Sequence, residues 1–383
     1  MKILLVSTTP THPVNAGNSY WALSQAEYLK KQGHDVYFLY VKMDSARHYE
    51  NGIDEELCTY WGKRLFVYEQ GLIGRIVFTI KCKSREIFFH GKYKCDTLYP
   101  RGLGEFVRKL HKQYQFDACI INYYWLTKLF DEVKFPKTAI NTHDCFSFKS
   151  MHGGKNAWMD TTPNEEAKGL QRCDYIFALQ DDEATFFSKL APLSKVLQVY
   201  CFFQFHETPI CDTHNLLYIS SANPYNVNGL QWFLNDVLPV IKNAVPDIKL
   251  IVGGSICKVL TDIHDENVEL VGYVDDLQEF FSQGDVVINP CFEGTGLKIK
   301  TFEGVSWGKV VMAHPHSAEG IFKKEEAPIY VSNVPGQWKD HLVEVFNNSS
   351  LRKSIKERDR QYIAQMNQFI AQEYASFLST GNS

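Results

Sequence analysis

The sequence predicts an α/β protein built from two doubly wound parallel sheets. Three observations support this prediction. The 383 residues exceed what one core usually holds, short apolar runs alternate with helical segments, and the alternation restarts after about residue 205. Strands that alternate with helices form parallel sheets, because each helix returns the chain to the same end of the sheet. We therefore expect an N-terminal domain over residues 1–205 and a C-terminal domain over residues 206–354.

The first half begins with the apolar run 2–7, which predicts a buried strand. A turn-rich loop follows, and then a helix that Asn18 caps and Gly33 closes. Further apolar runs predict strands of the same sheet at residues 34–41, 118–122, 138–142 and 175–179.

The second half repeats this pattern. The predicted strands are residues 216–219, 248–252, 269–271, 285–289 and 309–313. Helices are predicted over residues 228–243 and 277–282, and residues 351–378 form a long amphipathic helix.

Composition excludes several classes of protein. A net charge of −4 argues against a nucleic-acid partner. The chain has no window of 18 uncharged apolar residues, and its first ten residues are too short an apolar run for a secretory signal. Ten cysteines stand singly, without the spacing of a zinc site, and are typical of reduced cytosolic thiols. We expect a cytoplasmic protein without a metal site.

Residues 285–311 are the most informative segment. An apolar strand breaks at Pro290, a loop of small residues follows, and the next helix carries a carboxylate. Such a helix N-terminus offers unpaired N–H groups and a positive dipole end to an anion. Two lysines suit a diphosphate, and the carboxylate suits a ribose. The residues assigned to this site are Gly294, Thr295, Gly296, Leu297, Lys298, Lys300 and Glu303.

This segment resembles the signature of the retaining, nucleotide-sugar-dependent glycosyltransferases of GT-B fold, the group 1 or family-four-like transferases. Its loop is similar to the subgroup with Gly-Ser/Thr-Gly-x-Lys-x-Lys before a glutamate. The commonest version of the family carries two glutamates eight positions apart. Here Thr295 stands eight positions before Glu303, and Glu293 stands ten before it. The resemblance implies that Glu303 binds the ribose. At the position of the family's first glutamate, this chain has Thr295, which carries no charge.

Two further segments of the C-terminal half resemble the same family. Residues 217–234 look like its first strand, loop and helix, with Asn226 and Asn228 where many relatives have Arg and Lys. The resemblance therefore implies that Lys298 and Lys300 neutralise most of the diphosphate charge. For Asn228, capping the helix is an equally weighted alternative. The residues expected to contact the base are Gly272, Tyr273 and Val274.

In the N-terminal half, Gly17 and Asn18 lie where relatives have a glycine-rich loop that faces the diphosphate. His143 follows a predicted strand, at the edge where open α/β sheets place ligands in the crevice between domains. The resemblance implies that His143 contacts the donor sugar near the reacting carbon. The alternative from the residues alone is a histidine that is satisfied by Asp144.

The region 63–112 differs in charge from the rest of the chain. It contains 12 Lys/Arg against 4 Asp/Glu, interleaved with aliphatic and aromatic residues. Such a basic amphipathic stretch suits an anionic membrane or a negatively charged acceptor. An ordinary solvated helix face is the equally weighted alternative.

The resemblance as a whole implies a hexosyltransferase-type enzyme. It would move a sugar from a nucleoside-diphosphate sugar to a hydroxyl of a glycan or lipid-linked acceptor, with retention and without a metal or other cofactor. Surface polysaccharide or glycoconjugate synthesis is the expected setting, on the cytoplasmic face of the membrane, and a C-terminal helix at about 355–383 would pack back on the first domain. The alternatives are a GT-B sugar-nucleotide epimerase and a degenerate scaffold that binds a glycan or a partner.

Overall fold

The computed structural model describes residues 1–14, 17–43, 54–88, 92–149, 159–294 and 296–379. The chain divides into two compact units. Unit 1 consists of Met1–Phe202 with Ile370–Ser383, and unit 2 consists of Phe203–Phe369. The end of the chain thus belongs to the N-terminal unit, and the main division falls three residues before the predicted boundary at residue 205.

Unit 1 is built on a seven-stranded sheet in which every pair of neighbours is parallel. Its order is β3-β2-β1-β4-β5-β6-β7. The strands are β1 (Lys2–Ser7), β2 (Asp35–Lys42), β3 (Leu65–Glu69), β4 (Ala118–Asn122), β5 (Thr138–Asn141), β6 (Tyr175–Ala178) and β7 (Lys195–Gln198). The strand order reverses between β1 and β4, which is where open α/β sheets bind ligands.

Within the described residues, seven helices of unit 1 precede residue 200. They are α1 (Gly17–Lys31), α2 (Glu55–Trp61), α3 (Leu72–Phe88), α4 (Leu103–Tyr114), α5 (Leu129–Glu132), α6 (Pro163–Leu170) and α7 (Asp181–Leu190). Since α1 begins at Gly17, the prediction that Asn18 caps it from outside is wrong, and Asn18 lies in the first turn.

Unit 2 is built on a six-stranded parallel sheet in the order β10-β9-β8-β11-β12-β13. Its strands are β8 (Asn215–Ile219), β9 (Lys249–Gly253), β10 (Val268–Gly272), β11 (Val286–Asn289), β12 (Val310–Ala313) and β13 (Ile329–Val331). The strand order reverses between β8 and β11. The predicted fold class, two doubly wound parallel-sheet domains, is confirmed.

The helices that begin in unit 2 are α8 (Pro224–Trp232), α9 (Leu238–Lys242), α10 (Leu277–Phe281), α11 (Ile299–Ser306), α12 (Pro335–Asn347) and α13 (Ser349–Leu378). Asn223 caps α8 by accepting a hydrogen bond from the Tyr225 N–H, so the predicted start at residue 228 is wrong. The predicted single helix is also interrupted, by a π-helical turn at Phe233–Val237. Pro239 follows at the start of α9, and it has no N–H to continue the preceding hydrogen-bond ladder.

Close packing fixes α11 against the sheet of unit 2. A Cβ at Gly304 would lie 2.8 Å from Val311 Cγ2 and 3.1 Å from Val287 Cγ1, so only a glycine lets the helix approach the strands this closely. β11 and β12 are fully buried, which anchors the strand that leads into the helix. The loop between β11 and α11 is therefore held at both ends by a rigid core.

The ten cysteines are all free. Across the described ranges, no helix combines the length and the apolarity that crossing a bilayer requires.

Candidate active site

The loop between β11 and α11 lies at the carboxyl edge of the unit 2 sheet. The segment between β8 and α8 ends at the same edge, because β8 and β11 are parallel neighbours. These two strands flank the point where the strand order reverses, and open α/β sheets bind ligands in the crevice beside that point. The residues that the sequence assigned to the diphosphate thus belong to the expected ligand-binding edge.

The N-terminus of α11 is open. Lys298 precedes the helix and gives its backbone no side-chain cap, and no acidic residue lies in the first turn. Gly294 and Gly296 have φ angles of 107° and 77°, values that glycine adopts at little cost. In the part of the chain that the structure describes, the N–H groups of Gly296 and Leu297 donate to no acceptor. An open helix N-terminus with spare amides suits an anion.

Thr295 lies outside the described residues. Its assignment to the diphosphate stays a prediction.

Lys300 and Asn226 are held together at this edge. Lys300 Nζ donates to Asn226 Oδ1 at 2.7 Å. Asn226 is buried, and its Nδ2 donates to the carbonyl oxygen and to Oγ of Ser221 at 3.1 Å each. Because Nδ2 is engaged by two acceptors, Oδ1 must face the lysine. Asn226 therefore aims the ammonium group of Lys300 instead of supplying a charge of its own.

Lys298 and His316 both contact the loop carbonyl of Gly294. Lys298 Nζ lies 3.4 Å from this oxygen, and His316 Nε2 lies 2.9 Å from it. The sequence patterns assigned no role to His316. Its position just after β12, on the strand next to β11, was the signal that could have placed it here.

Glu303 is a partly buried carboxylate in the second turn of α11. No described residue donates a hydrogen bond to it. Burial raises the pKa of Glu303 to about 7, and the nearby Lys300 ammonium offsets part of that effect. A carboxylate without donors at a ligand-binding edge is suited to accept hydrogen bonds from the hydroxyls of a ligand.

Asn228 lies inside α8, and the prediction that it caps the helix is wrong because Asn223 does so. Its Nδ2 donates to Glu293 Oε1 at 2.5 Å. Glu293, out of register for the family's first glutamate, is thus tied to the same helix.

The predicted base-contacting residues follow β10. Gly272 has a φ angle of 75°, and Tyr273 is 81% exposed. Val274 packs over β9, where a Cβ at Gly253 would lie 2.7 Å from Val274 Cγ2. Their contact with a base stays a prediction.

In unit 1, Gly17 is the first residue of α1 and Asn18 lies beside the order reversal of the sheet. Asn18 Nδ2 donates to Tyr123 Oη at 3.0 Å and to Thr9 Oγ1 at 3.3 Å. Thr9 follows β1 and Tyr123 follows β4, so Asn18 joins the ends of the two strands that flank the reversal.

His143 lies at the same carboxyl edge, just past β5. Its Nε2 lies 2.6 Å from Asn122 Oδ1. The alternative in which Asp144 satisfies His143 is wrong, because Asp144 forms a buried ion pair with Lys149. Burial, with a smaller effect of Lys149, lowers the pKa of His143 to about 3. The ring is therefore neutral at pH 7.

A further surface depression lies at the opposite edge of the unit 2 sheet, lined by Asp247, Lys249 and Glu269. It belongs to the amino ends of the strands, where open α/β sheets do not place their ligands. Within the described ranges, no group of three or more His, Cys, Asp or Glu side chains is arranged to hold a metal. Metal independence itself stays a prediction.

Comparison with known proteins bears on both units. Residues 213–348 match the family model described as Glycosyl transferases group 1. An uncharacterized 44.6 kDa protein in the cps region of Klebsiella pneumoniae is 25% identical, over 92% of this chain and 93% of that protein.

Solved structures show the same architecture. HepE of Anabaena in complex with UDP and glucose has a TM-score of 0.65 at 13% identity, and covers 100% of both chains. The pneumococcal O-GlcNAc transferase GtfA in complex with UDP and GlcNAc has a TM-score of 0.65 at 11% identity, over 98% of each chain. The two parallel-sheet domains are those of the GT-B fold. The match to the group 1 model covers residues 213–348, and the likeness to the solved structures shows the fold of both units.

Proposed function

We propose that the protein is a glycosyltransferase that moves a sugar from a nucleoside-diphosphate sugar to a hydroxyl of a glycan or lipid-linked acceptor, with retention. The observation that carries this proposal is the pairing of Lys300 with Asn226 at the open N-terminus of α11. Cationic groups and free amides are gathered there at the point where the strand order reverses. The UDP complexes of HepE and GtfA support UDP as the first nucleotide to test.

The departing diphosphate is the group that this site is best suited to stabilise. As the bond between the anomeric carbon and the diphosphate breaks, negative charge builds up on the leaving oxygen. The acceptor oxygen forms the new bond to the anomeric carbon, and its proton passes to the departing diphosphate. Lys298, Lys300 and the amides of residues 296–297 would stabilise that charge without a metal. Preorganised charges at a developing anion are usually the largest catalytic effect, worth about 3 kcal/mol per donor.

Glu303 would anchor the donor through its ribose. The ribose hydroxyls would donate hydrogen bonds to this carboxylate, which accepts none from any described residue. Gly272, Tyr273 and Val274 would contact the base, and His143 would orient the donor sugar. These roles follow the family resemblance and are part of the proposal.

The acceptor side of the proposal rests on α3 of unit 1. Region 63–112 is not one continuous surface, because it folds into β3, α3 and α4. One face of α3 exposes four aliphatic side chains, Leu72 (75% exposed), Ile73 (68%), Ile76 (53%) and Ile80 (62%). Phe78 and Gly74, on the other face, are buried.

Two lysines follow these aliphatic residues toward the end of α3. Lys81 and Lys83 are exposed and form no ion pair with any described residue. Arg75, by contrast, pairs with Glu69. Aliphatic groups that enter the acyl region, next to unpaired cations at the headgroups, are suited to an anionic bilayer. We therefore propose that α3 brings the enzyme to a membrane that carries its lipid-linked acceptor.

The Klebsiella relative lies in a cps region, which supports a role in surface polysaccharide synthesis.

A thermal-shift screen over UDP, GDP, ADP and their sugars tests this function, because a ligand that binds only the folded chain raises its melting temperature. We expect one nucleotide series to raise the melting temperature. The nucleotide sugar of that series should release free nucleoside diphosphate only when membrane lipid extract is present. Product analysis should show the sugar on a new hydroxyl. A converted or hydrolysed donor without an acceptor product would favour an epimerase, and no shift with any nucleotide would contradict the proposal.

A further inference from the structure

Three buried amide side chains form a continuous ladder in unit 1. Gln25 lies in α1, Asn141 ends β5 and Asn122 ends β4. Asn122 and Asn141 are register partners, so their side chains share one face of the sheet. Buried polar groups are costly unless every one is paired, and a fully paired network is rigid.

Hydrogen bonds run through this ladder without a gap. Gln25 and Asn141 exchange two hydrogen bonds, from Asn141 Nδ2 to Gln25 Oε1 at 2.8 Å and from Gln25 Nε2 to Asn141 Oδ1 at 3.1 Å. Gln25 Nε2 also donates to Tyr374 Oη at 2.7 Å, which ties the ladder to the C-terminal segment of unit 1. At the other end, Asn141 Nδ2 donates to Asn122 Oδ1 at 3.1 Å.

The orientation of the Asn122 amide is fixed on both sides. Its Nδ2 donates to the carbonyl oxygen of Val6 at 3.2 Å, and a carbonyl can only accept. Its Oδ1 receives the Asn141 donor. A flipped amide would place two oxygens together at Val6 and two NH₂ groups together at Asn141. The oxygen of Asn122 must therefore face His143.

This orientation selects one tautomer of His143. Asn122 Oδ1 lies 2.6 Å from His143 Nε2 and cannot donate, so Nε2 carries the proton. In a neutral ring Nδ1 then has a free lone pair. No described residue donates to Nδ1. His143 is thus prepared to accept a hydrogen bond at Nδ1.

The backbone and neighbouring rings hold the imidazole in this place. His143 and Tyr123 have φ angles of 63° and 74°, in the left-handed region that is costly for a non-glycine residue. Their rings stack with centroids 4.4 Å apart, and Trp21 packs edge-on against His143 at 5.1 Å. Two strained residues that follow the two ladder asparagines indicate a site whose geometry is strongly determined.

We propose that Asn122, held by Asn141 and Gln25, is a positioning residue that fixes His143 in the Nε2–H tautomer and presents its Nδ1 to a substrate hydroxyl. The part of this inference that concerns turnover rests on the proposed glycosyltransferase function. The tautomer itself does not depend on that function.

The tautomer is measured by ¹⁵N NMR of histidine-labelled protein, with the His143 signals assigned by their loss in His143→Ala. At pH 7 we expect Nε2 to be fully pyrrole-like and Nδ1 to be fully pyridine-like. Asn122→Leu removes the acceptor, so both shifts should move toward the averaged values of free imidazole. Asn122→Asp keeps an oxygen that accepts in either protonation state, and should preserve the wild-type shifts.

Controls separate this role from general stability. Thr138→Val removes a buried hydroxyl elsewhere in β5, where Thr138 bonds Asp174, and should leave the His143 shifts unchanged. If Asn122→Leu does not fold, Asn122→Ala serves in its place. Wild-type shifts that are already averaged, a protonated Nδ1, or unchanged shifts in the Leu or Ala variant would overturn the proposal.

Turnover provides the second test. Asn122→Leu should lower kcat about tenfold, the cost of one misdirected hydrogen bond, while the donor affinity stays within about twofold. Asn122→Asp should recover most of that loss. Shifts as predicted, together with a full wild-type kcat in Asn122→Leu, would refute the positioning role. If the wild-type protein has no transferase activity, the proposed function is refuted. The tautomer is then tested by the NMR shifts alone.

Discussion

The carboxyl edges of the two sheets differ in the kind of polarity that they display. In unit 2, the edge gathers Lys298, Lys300 and an open helix N-terminus, with a carboxylate one turn further on. In unit 1, the edge gathers neutral amides, stacked aromatic rings and a histidine whose pKa burial lowers to about 3. Under the proposed function, the same sheet architecture would serve two different tasks, stabilising charge in unit 2 and fixing the direction of a neutral acceptor in unit 1.

This difference follows from the residues that flank each order reversal. A diphosphate needs donors that are charged or unpaired, since desolvating an anion without compensation is costly. A sugar hydroxyl needs one hydrogen-bond acceptor in a fixed direction. A neutral acceptor suits this task better than a charged one, because a charged group holds water around it. We therefore expect variants in unit 2 to impair binding and turnover together, and variants in unit 1 to impair turnover alone.

The largest effect should come from Lys300. Lys300→Ala should reduce kcat/KM about a hundredfold or more, because it removes a cation from the leaving group and frees Asn226. This loss of kcat/KM is measured by steady-state kinetics with the nucleotide sugar that the thermal-shift screen selects. Lys258→Ala is the matched control, since Lys258 is exposed on the same unit. Equal rates for the two variants would remove the catalytic role of Lys300.

A variant of His143 tests the role proposed for unit 1. His143→Ala should lower kcat by about tenfold to a hundredfold, because the donor sugar loses its orienting acceptor. Calorimetric affinity for the nucleotide sugar should change by less than about twofold. A large loss of affinity with little change in kcat would show that unit 1 binds the donor instead of orienting it.

Glu303 links pH to both stability and binding. Its pKa is raised from 4.5 to about 7, so folding favours the protonated form. The stabilising contribution of Glu303 is full below pH 4.5 and is lost as the pH rises through 7. Glu303→Gln should thus be more stable than the wild type at pH 8, by about 2 kcal/mol or less because the side chain is partly exposed, and similar at pH 4. Urea titration at the two pH values measures this difference.

The same variant should bind the nucleotide more weakly at pH 8, by about tenfold, because an amide accepts ribose hydrogen bonds less well than a carboxylate. Gain of stability with loss of affinity is the signature of a ligand-binding carboxylate. A variant that binds as tightly as the wild type would leave Glu303 as a partly buried acid without a role in binding.

Variants in the proposed membrane-binding face of α3 should show the smallest effect on chemistry and a clear effect on membrane binding. Ile76→Ser with Ile80→Ser should release the protein from vesicles of phosphatidylcholine and phosphatidylglycerol, and leave turnover of a soluble acceptor unchanged. Leu193→Ser is the matched control, because Leu193 is 99% exposed outside α3. Co-sedimentation that is equal for both variants would contradict the docking face.

Sequence patterns predicted the fold and the place of the unit 2 loop between a buried strand and a helix. The alternation of strands and helices is a local signal, and so is the Gly-Thr-Gly-x-Lys-x-Lys segment before Glu303. The start of α8 was missed because two turn-forming residues, Asn223 and Pro224, precede Asn228, and the cap depends on which asparagine adopts extended backbone.

Contacts across the sheet could not be predicted in this way. The partners Asn122 and Asn141 are 19 residues apart, and Gln25 is 116 residues from Asn141. One signal was available. Residues 121–122 end one predicted strand and residues 140–141 lie one residue before the end of another. Both pairs read Ile-Asn, and in a parallel sheet such ends lie at one edge. His316 was likewise missed because its partner, the Gly294 carbonyl, lies on a neighbouring connection.

The most direct test of the account is a crystal structure of the protein with the nucleotide sugar selected by the thermal screen. We expect the two phosphates within hydrogen-bonding distance of Lys300 Nζ and of the amides of residues 296–297, and the ribose hydroxyls on Glu303. A nucleotide bound elsewhere, with Lys300 still on Asn226 and Glu303 still without a donor, would contradict it.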